Sequence, residues 1–384
     1  MTTRSKSQNV IQNELFFADL ARVIGIGLVV LNHIGLLSFG RGRAGLKIER
    51  ISDYFGVLGV AFLFILSGYL LAKPFLRALL RGTKLPDAGT FYLKRLLRIY
   101  PLYVFAIIAL VIFSIVTKFG VLPDLAGIST HVLLIQNFWP RFAETIEPPM
   151  WTMAVDAQFY LALPIVASLC AHGICRVSPE KRFTAMSIVL LSIAVIAVLL
   201  RFIVMTIRPE SAASFSQQIV YLKQLPEMGF SFSVGAAIAL IELRFPGYRF
   251  SPYLFAAGVA VAIGHALSRV GAHGASTYSH TYAFGFAFYD AFAAIAAGLM
   301  FVALPRSSRF ARHVSFVAGI SYAIYLFHYP LLAYFSDGLF HMSKFKVIEL
   351  LIVFILVVCP VSWATSTFIE RPFLKMKSRL SERA

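Results

Sequence analysis

The chain has 384 residues, of which 59% are hydrophobic and 14% are charged, and its formal net charge is +17 at pH 7. Roughly a quarter of the residues of an ordinary soluble domain are charged, so this composition argues against a water-soluble fold. The basic residues stand in short clusters between apolar runs. That pattern is typical of orientation signals in a membrane protein and excludes nucleic acid as an expected partner.

Apolar runs of about 20 residues, the length that crosses the hydrocarbon core of a bilayer, recur along the whole chain. We therefore predict an all-α fold, a polytopic integral membrane helical bundle of about ten transmembrane helices. The predicted spans are residues 15–38, 54–72, 99–119, 151–171, 183–207, 226–243, 253–269, 286–304, 314–336 and 347–368.

These spans make one transmembrane domain, residues 15–370, between an N-terminal segment, 1–14, and a basic tail, 371–384. If both termini are cytoplasmic, the connections inside hold roughly twice as many Lys and Arg residues as those outside, as the positive-inside rule requires. The basic connection 39–53 runs against this rule. A solvated loop is the favoured interpretation there, and contact with an anionic acceptor is the alternative.

The longest predicted outside connection, residues 120–150, contains the apolar piece HVLLIQNFW, which is too short to cross a membrane. We predict that it forms a re-entrant or interfacial segment that covers a cavity. On the other side, residues 73–98 are rich in Lys and Arg and are predicted to face the cytoplasm.

The first predicted span carries three ionisable residues, Asp19, Arg22 and His33. Arg22 and His33 are eleven residues, or about three helical turns, apart and share one face. Asp19 lies three residues before Arg22 and can pair with it, so structural and functional interpretations of that pair stay open. A neutral imidazole deep in a membrane can accept a proton from a hydroxyl, which makes His33 a candidate general base.

Later spans carry further polar residues that are costly in a membrane and are therefore candidates for function. Asp156 and Asp290 can fix a histidine tautomer or pair with an arginine. His328, in SYAIYLFHYPLL, has two open interpretations, helix packing and a role in a site. Ser67, next to a glycine in FLFILSGYLL, either permits close helix packing or lines a substrate path.

Other polar residues and thiols of the spans have a structural interpretation. Arg201 and His265 lack a motif around them. The three cysteines, Cys170, Cys175 and Cys359, have neither metal-ligand spacing nor a disulfide pattern, and we expect no metal.

Arg95 and Arg98 precede the third span in YLKRLLRIYPLY and stand three residues apart on one helical face. Two guanidinium groups at this spacing suit phosphate groups. The alternative is that they only orient the helix and contact lipid headgroups.

Six motifs in this order resemble those of the acyltransferase family 3 membrane proteins, which include bacterial O-acetyltransferases of surface glycans. The segments that carry the resemblance are DLARVIGIGLVVLNH, LFILSGYLL, RLLRIYPLY, WTMAVDAQFY, SYAIYLFHYPLL and FIERPF. They extend over nearly the whole chain. The chain departs from the family at Asp156, where the family has glutamate.

The resemblance implies a multi-pass enzyme of the bacterial inner membrane that uses cytoplasmic acyl-CoA, with acetyl-CoA as the expected form, to acylate a glycan or glycolipid. The implied catalytic residues are His33, Arg22 and Asp156. The implied substrate-binding residues are Arg95, Arg98, Ser67, Tyr160 and His328, and the implied pairing residues are Asp19, Glu370 and Arg371. Membrane lipids are the other expected partners.

Two mechanisms fit these residues, direct transfer to the acceptor and transfer through a transient acyl-enzyme. The rival hypothesis from another class is a transporter or exporter of a glycan or lipid-linked saccharide, in which the intramembrane charges line a path. Transfer of a labelled acetyl group from CoA distinguishes the two classes, because a transporter would not catalyse it.

Overall fold

The computed structural model describes residues 3–39, 43–120, 122–206, 220–246, 251–271, 288–339 and 345–382, and these residues contain helices and no β-strand. The helices are α1 (Thr3–Ser38), α2 (Arg43–Arg81), α3 (Ala88–Thr117), α4 (Leu125–Val132), α5 (Trp151–Ile174), α6 (Pro179–Thr206), α7 (Leu225–Arg244), α8 (Tyr253–Gly271), α9 (Tyr289–Val302), α10 (Ala311–Gly338), α11 (Lys346–Val353), α12 (Cys359–Thr365) and α13 (Arg371–Glu382).

The prediction of an all-helical membrane bundle is confirmed. Eight helices of the described chain are long and apolar enough to cross a membrane, and each coincides with a predicted span. The two remaining spans correspond to the shorter apolar helices Tyr253–Ser268 and Tyr289–Val302. Residues 286–287 of the predicted span 286–304 lie outside the described residues. The count of ten crossings and the cytoplasmic position of the termini stay predictions.

The loop predicted over residues 39–53 is wrong from Arg43 onward, because α2 begins there. Arg41 lies outside the described residues. Hydropathy measures how apolar a segment is and not whether it is helical. The segment LKIERISDYF has no proline or glycine to stop the helix, so α2 continues beyond the apolar stretch.

Glycines bring α2 and α7 into backbone contact near the centre of the bundle. A Cβ atom added at Gly68 would lie 2.2 Å from the carbonyl oxygen of Phe232, and one added at Gly235 would lie 2.0 Å from that of Ile65. Small residues allow such close approach in membranes, where burial of apolar surface does not drive helices together. The close-packing interpretation of the Ser-Gly run therefore holds for Gly68.

A network of charges joins α1, α2 and α7 at the end of the bundle that carries Glu14. Lys73 Nζ lies 2.9 Å from Glu14 Oε1 and 3.2 Å from Glu242 Oε2. The Tyr69 hydroxyl donates to Glu242 Oε2 at 2.6 Å. Because charged groups in a membrane protein are costly unless paired, this network stabilises the contact of the three helices.

The last span is a continuous helix with two π-helical turns, Phe354–Val358 and Ser366–Glu370. The second turn directs Glu370 into the bundle, where its side chain is 1% exposed. Ser366 Oγ donates to Glu370 Oε2 at 2.9 Å. Single π turns inside α-helices often occur at functional sites.

Residues 122–150 cover one end of the bundle with α4 and two 3₁₀ turns, Gln136–Phe138 and Pro148–Met150. The piece HVLLIQNFW forms no long helix, as predicted. Glu144, Pro148 and Pro149 from the last part of this segment line a large cavity. Residues near the end of this segment therefore border a cavity, but the lining includes no residue of HVLLIQNFW, so the covering role predicted for that piece stays a prediction.

Candidate functional site

A cavity of about 300 Å³ contains His33 and is lined mainly by α1, α2, α5, α7 and α9 together with residues 144–149; we call it the His33 cavity. Its polar and charged lining residues are Asn32, His33, Asp53, Glu144, Arg201, Lys223, Ser231, Tyr289, Asp290 and Tyr325. The His33 cavity thus combines an imidazole with charges of both signs inside a helical membrane bundle.

A second cavity, of about 160 Å³, contains three arginines, and we call it the arginine cavity. It brings together most of the residues that the sequence singled out, namely Arg22, Ser67, Arg95, Arg98, Asp156 and Tyr160. The Asp156 carboxyl lies beside the hydroxyls of Ser67 and Tyr160.

The two cavities follow one another along α1. Arg22 lines the arginine cavity and His33 lines the His33 cavity. Eleven residues of helix separate them, which corresponds to about 16 Å along the axis. The two residues share a face of α1, as their spacing predicts, but the structure places them in different cavities.

Tyr325 lines both cavities and is part of the wall between them. Its hydroxyl donates to the carbonyl oxygen of Pro149 at 2.9 Å and lies 2.5 Å from Thr152 Oγ1. These contacts attach α10 to the start of α5. Among the described residues, Tyr325 is the one that the linings of the two cavities share.

His33 is held by His328, which is fully buried in α10. The Nδ1 atom of His328 lies 2.9 Å from the carbonyl oxygen of Tyr325 and 3.0 Å from that of Ile324. A carbonyl oxygen can only accept, so Nδ1 of His328 carries the proton and, in neutral His328, Nε2 is an acceptor. His33 Nδ1 lies 2.8 Å from that Nε2 atom and therefore donates to it.

This chain of hydrogen bonds fixes the tautomer of His33. Its proton is on Nδ1, and the lone pair of a neutral ring is then on Nε2. Nε2 is the nitrogen left to accept a proton from a molecule in the His33 cavity. His328 does not line either cavity. Its observed contact is the hydrogen bond with His33, and the predicted contact of His328 with substrate stays a prediction.

Ion pairs hold two of the three arginines in the arginine cavity. Arg22 Nη1 lies 3.0 Å from Asp19 Oδ1, the pairing that their spacing predicts. Ser315 Oγ donates to the other oxygen of Asp19 at 2.7 Å. Arg98 Nη1 lies 2.8 Å from Glu370 Oε1. Arg371 is exposed, so of the two predicted pairing residues in FIERPF only Glu370 contacts this site.

Two polar atoms of the arginine cavity are buried without a hydrogen-bond partner among the described residues. They are the Nε atom of Arg95 and the Oδ1 atom of Asp156. A buried polar group without a partner is costly, and a bound ligand or water removes that cost. The cavity therefore presents a cationic donor and an acceptor that a polar ligand can use.

The sequence did not lead us to place Arg201 in the site. It did suggest that Asp290 could pair with an arginine. Arg201 Nη2 and Asp290 Oδ2 form an ion pair between α6 and α9, and both residues line the His33 cavity. Lys223 Nζ pairs with Glu144 Oε1 at 2.6 Å and lies 5.4 Å from the centre of the Trp151 ring. The sequence did offer a signal for Arg201 and Asp290, because a charged residue within a transmembrane span is costly and is therefore a candidate for function.

Comparison with known proteins gives one family. The family model described as "Acyltransferase domain" matches residues 15–367. The chain is 28% identical over 160 residues to the O-acetyltransferase OatA of Staphylococcus aureus. This alignment covers 38% of this chain and 26% of the relative. It is 27% identical over 133 residues to Nodulation protein 10 of Rhizobium leguminosarum bv. viciae, covering 30% of this chain and 34% of the relative.

The chain thus aligns with only about a quarter to a third of the length of these curated relatives. No solved structure matches. The family match extends over nearly all of the predicted transmembrane domain and includes both cavities. It confirms the resemblance that the six sequence motifs indicate.

Proposed function

This chain belongs to the acyltransferase family whose model matches residues 15–367, and we propose that it is an O-acyltransferase that moves an acyl group from acyl-CoA to a hydroxyl of a glycan or glycolipid. The observation that carries the proposal is the contact of 2.8 Å between His33 Nδ1 and His328 Nε2. It leaves Nε2 of His33 available as a general base in a cavity of about 300 Å³.

The donor binds in the arginine cavity. Arg22, Arg95 and Arg98 supply positive charge for the phosphates of CoA, and guanidinium groups bind phosphate oxygens in pairs. The buried Nε–H of Arg95, which lacks a partner among the described residues, supports this role. The donor enters from the side of residues 73–98, the side that positive charge predicts to be cytoplasmic.

The acceptor binds in the His33 cavity. Trp151 offers an aromatic face, and Asp53, Asp290 and Lys223 offer polar groups to hydroxyls. Cavities of this kind, with an apolar wall and a few placed polar groups, suit small organic ligands. The printed name of one relative, an O-acetyltransferase, supports acetyl as the acyl group. The long apolar helices and the bacterial relatives support a bacterial cytoplasmic membrane as the location.

In the reaction, Nε2 of His33 removes the proton of the acceptor hydroxyl while the hydroxyl oxygen attacks the thioester carbonyl. The C–S bond breaks, the acyl group becomes an ester, and the sulfur leaves as the thiolate of CoA, which then takes up a proton. The hydrogen bond from Nδ1 to His328 stabilises the charge that His33 acquires. The side chain of Tyr325 moves to let the thioester arm reach the His33 cavity.

The proposal is tested with membrane vesicles of known orientation and acetyl-CoA labelled in the acetyl group. Label should enter glycan or glycolipid when acetyl-CoA is supplied on the face of residues 73–98, and His33→Ala should lower this incorporation by roughly 10² to 10⁴. If the vesicles move a labelled saccharide across the membrane but transfer no acetyl group, the enzyme hypothesis is wrong and the transporter hypothesis is favoured. Transfer with acetyl-CoA supplied only on the opposite face would overturn the assigned donor side.

A further inference from the structure

A groove separate from both cavities lies between α5 and α6, with α2 and α7 as its floor, and has a volume of about 320 Å³. Its lining is apolar almost throughout, and Ser233 contributes its one hydroxyl among the described residues. A saccharide or a nucleotide would lose its hydrogen bonds with water there and find few replacements. The chemistry of the wall therefore selects a hydrocarbon chain.

The groove is long and narrow. On α6 its lining runs from Met186 through Leu190 and Ile193 to Leu200, on one face of the helix. Fourteen residues of helix correspond to about 21 Å. The hydrocarbon core of a bilayer is about 30 Å thick, so the groove is long enough for the whole depth of one leaflet.

One end of the groove is strongly cationic. Leu79, Ile174 and Met186 line this end. The adjoining end of α2 carries Arg81, the turn between α5 and α6 carries Arg176, and the first turn of α6 carries Lys181 and Arg182. Glu180 is an acidic residue in the first turn of α6. Among the described residues, no carboxylate lies within ion-pair distance of the four cations.

Arg182 connects the helices at this end. Its Nε atom donates to the carbonyl oxygen of Val177 at 3.3 Å, and its Nη1 atom donates to that of Leu80 at 3.5 Å. The guanidinium thus lies across the ends of α2 and α5. Its charge is not neutralised by these carbonyls, and it can still attract a phosphate.

The other end of the groove lacks such a cluster. Leu200, Leu225 and Pro226 line it, and the cations nearest in sequence are Arg201 and Lys223. Both are paired with carboxylates, Asp290 and Glu144. Charge complementarity therefore places an anionic headgroup at the Arg182 end and not at the end near the His33 cavity.

We propose that this groove binds an acyl chain of an anionic phospholipid whose phosphate lies on Arg81, Lys181 and Arg182. The occupant is a structural lipid of the leaflet that the basic residues face, and it is distinct from the acyl acceptor. It fills the space between α5 and α6 and so supports the position of α6, which carries Arg201 into the His33 cavity.

Native mass spectrometry of the purified full-length protein tests the proposal, with phosphatidylglycerol and phosphatidylcholine of the same chain length as probes. Phosphatidylglycerol should be retained preferentially. The triple variant Arg81→Gln, Lys181→Gln, Arg182→Gln should lose that preference, by about fivefold for each charge removed. The matched control is Arg309→Gln with Arg312→Gln, which removes exposed cations away from the groove and should retain the preference.

The groove itself is tested by filling it. A Cβ atom added at Gly229 would lie 3.6 Å from Ala197 Cβ and 3.7 Å from Ile193 Cγ2, so Gly229→Leu extends a side chain into the groove. Val166→Trp fills it from the edge and serves if the first variant does not insert. Gly264→Leu is the control, because no described residue outside its own turn of helix lies within 4 Å of a Cβ atom there.

The variants that fill the groove, Gly229→Leu and Val166→Trp, should retain phosphatidylglycerol at least tenfold more weakly. The control Gly264→Leu should retain it as well as the unmodified protein does. Equal retention of the two lipids by the unmodified protein would overturn the assignment of the headgroup. Unchanged retention in both filled variants would overturn the assignment of the chain. Displacement of the bound lipid by an acylatable glycolipid acceptor would overturn the structural-lipid role and give the groove to the acceptor.

Discussion

His33 and His328 form a hydrogen-bonded pair across the interface of α1 and α10, with Nδ1 of His33 2.8 Å from Nε2 of His328. The two residues are 295 positions apart in the chain. The pair resembles the base and orienting group of a catalytic triad in one respect, because the second group fixes the tautomer of the first. In this protein the orienting group is a neutral imidazole held by the carbonyls of its own helix.

We predict that His328→Phe lowers kcat for acyl transfer roughly 10²-fold or more, because His33 loses the acceptor that fixes its tautomer. The KM for acyl-CoA should change little. His328→Gln should restore part of the rate, since its amide oxygen reaches near the position of Nε2. Steady-state kinetics of purified protein in detergent decides the matter. Equal rates for the Phe and Gln variants would assign His328 to packing alone.

For His33 itself, we expect His33→Ala to lower acyl transfer by roughly 10² to 10⁴, the usual contribution of a positioned proton acceptor. The melting temperature should change far less. His172→Ala is the matched control, because His172 is an exposed histidine that bonds only to the carbonyl of Ser168 in its own helix. Near-normal transfer by folded His33→Ala protein would remove His33 from the mechanism.

Substitution of the arginines should act on donor binding. Arg95→Ala is expected to raise the KM for acyl-CoA with a smaller effect on kcat, if the phosphate contact is equally strong in the ground and transition states. Arg95→Lys should recover only part of the loss, because lysine lacks the planar fork. Arg371→Ala, an exposed arginine near the same end of the last span, is the control. If the KM for acyl-CoA is unchanged in both Arg95 variants, Arg95 does not bind the donor and only orients the helix in the membrane.

The glycine contact of α2 and α7 predicts a loss of stability. Gly235→Ala places a Cβ atom 2.0 Å from the carbonyl oxygen of Ile65, so the helices must separate, at a cost of about 3 kcal/mol. Gly319→Ala is the matched control. No described residue outside its own turn of helix lies within 4 Å of a Cβ atom added there, and alanine should stabilise that helix by about 0.5–1 kcal/mol. Thermal unfolding in one detergent compares the two, and a stable Gly235→Ala protein would contradict the close approach.

Glu147, in the segment that covers the His33 cavity, predicts a dependence of stability on pH. The side chain is fully buried, and neither carboxyl oxygen has a hydrogen-bond partner among the described residues. Burial raises the pKa of Glu147 well above its ordinary value of 4.5. The folded state therefore prefers the neutral acid. The stability that the neutral Glu147 side chain contributes is complete below the pKa of Glu147 in the unfolded state. It is lost as the pH rises through the pKa of Glu147 in the folded state.

Glu147→Gln should consequently raise the melting temperature at neutral pH and flatten its decline as the pH rises above the ordinary carboxyl pKa of 4.5. Glu144→Gln is the control, because Glu144 is exposed and pairs with Lys223. Thermal unfolding across this pH range measures both variants. Parallel curves for the unmodified and Glu147→Gln proteins would show that Glu147 does not titrate on unfolding.

Contacts within one helix could be predicted from spacing. Asp19 and Arg22 are three residues apart, which places them on one face, and they are paired. Asp156 stood out because a charge within a span is costly, and Arg95 and Arg98 stood out because two guanidinium groups three residues apart suit phosphate. All three line one cavity. The prediction of a loop over residues 43–53 was wrong, because it rested on hydropathy, which does not measure whether a segment is helical.

The sequence by itself determined the membrane bundle and the candidate residues of α1, because hydropathy and the 3.6-residue period of a helix depend on neighbours in the chain. Tertiary structure alone decided that Arg22 and His33 line different cavities, that Arg201 meets Asp290, and that His328 orients His33. The physical reason is that the period of a helix fixes which residues share a face, while the facing helix is set by packing. Close contacts such as that of Gly235 with Ile65 fix this packing, and a small-residue run such as that at Gly68 indicates a close approach without identifying the helix that approaches.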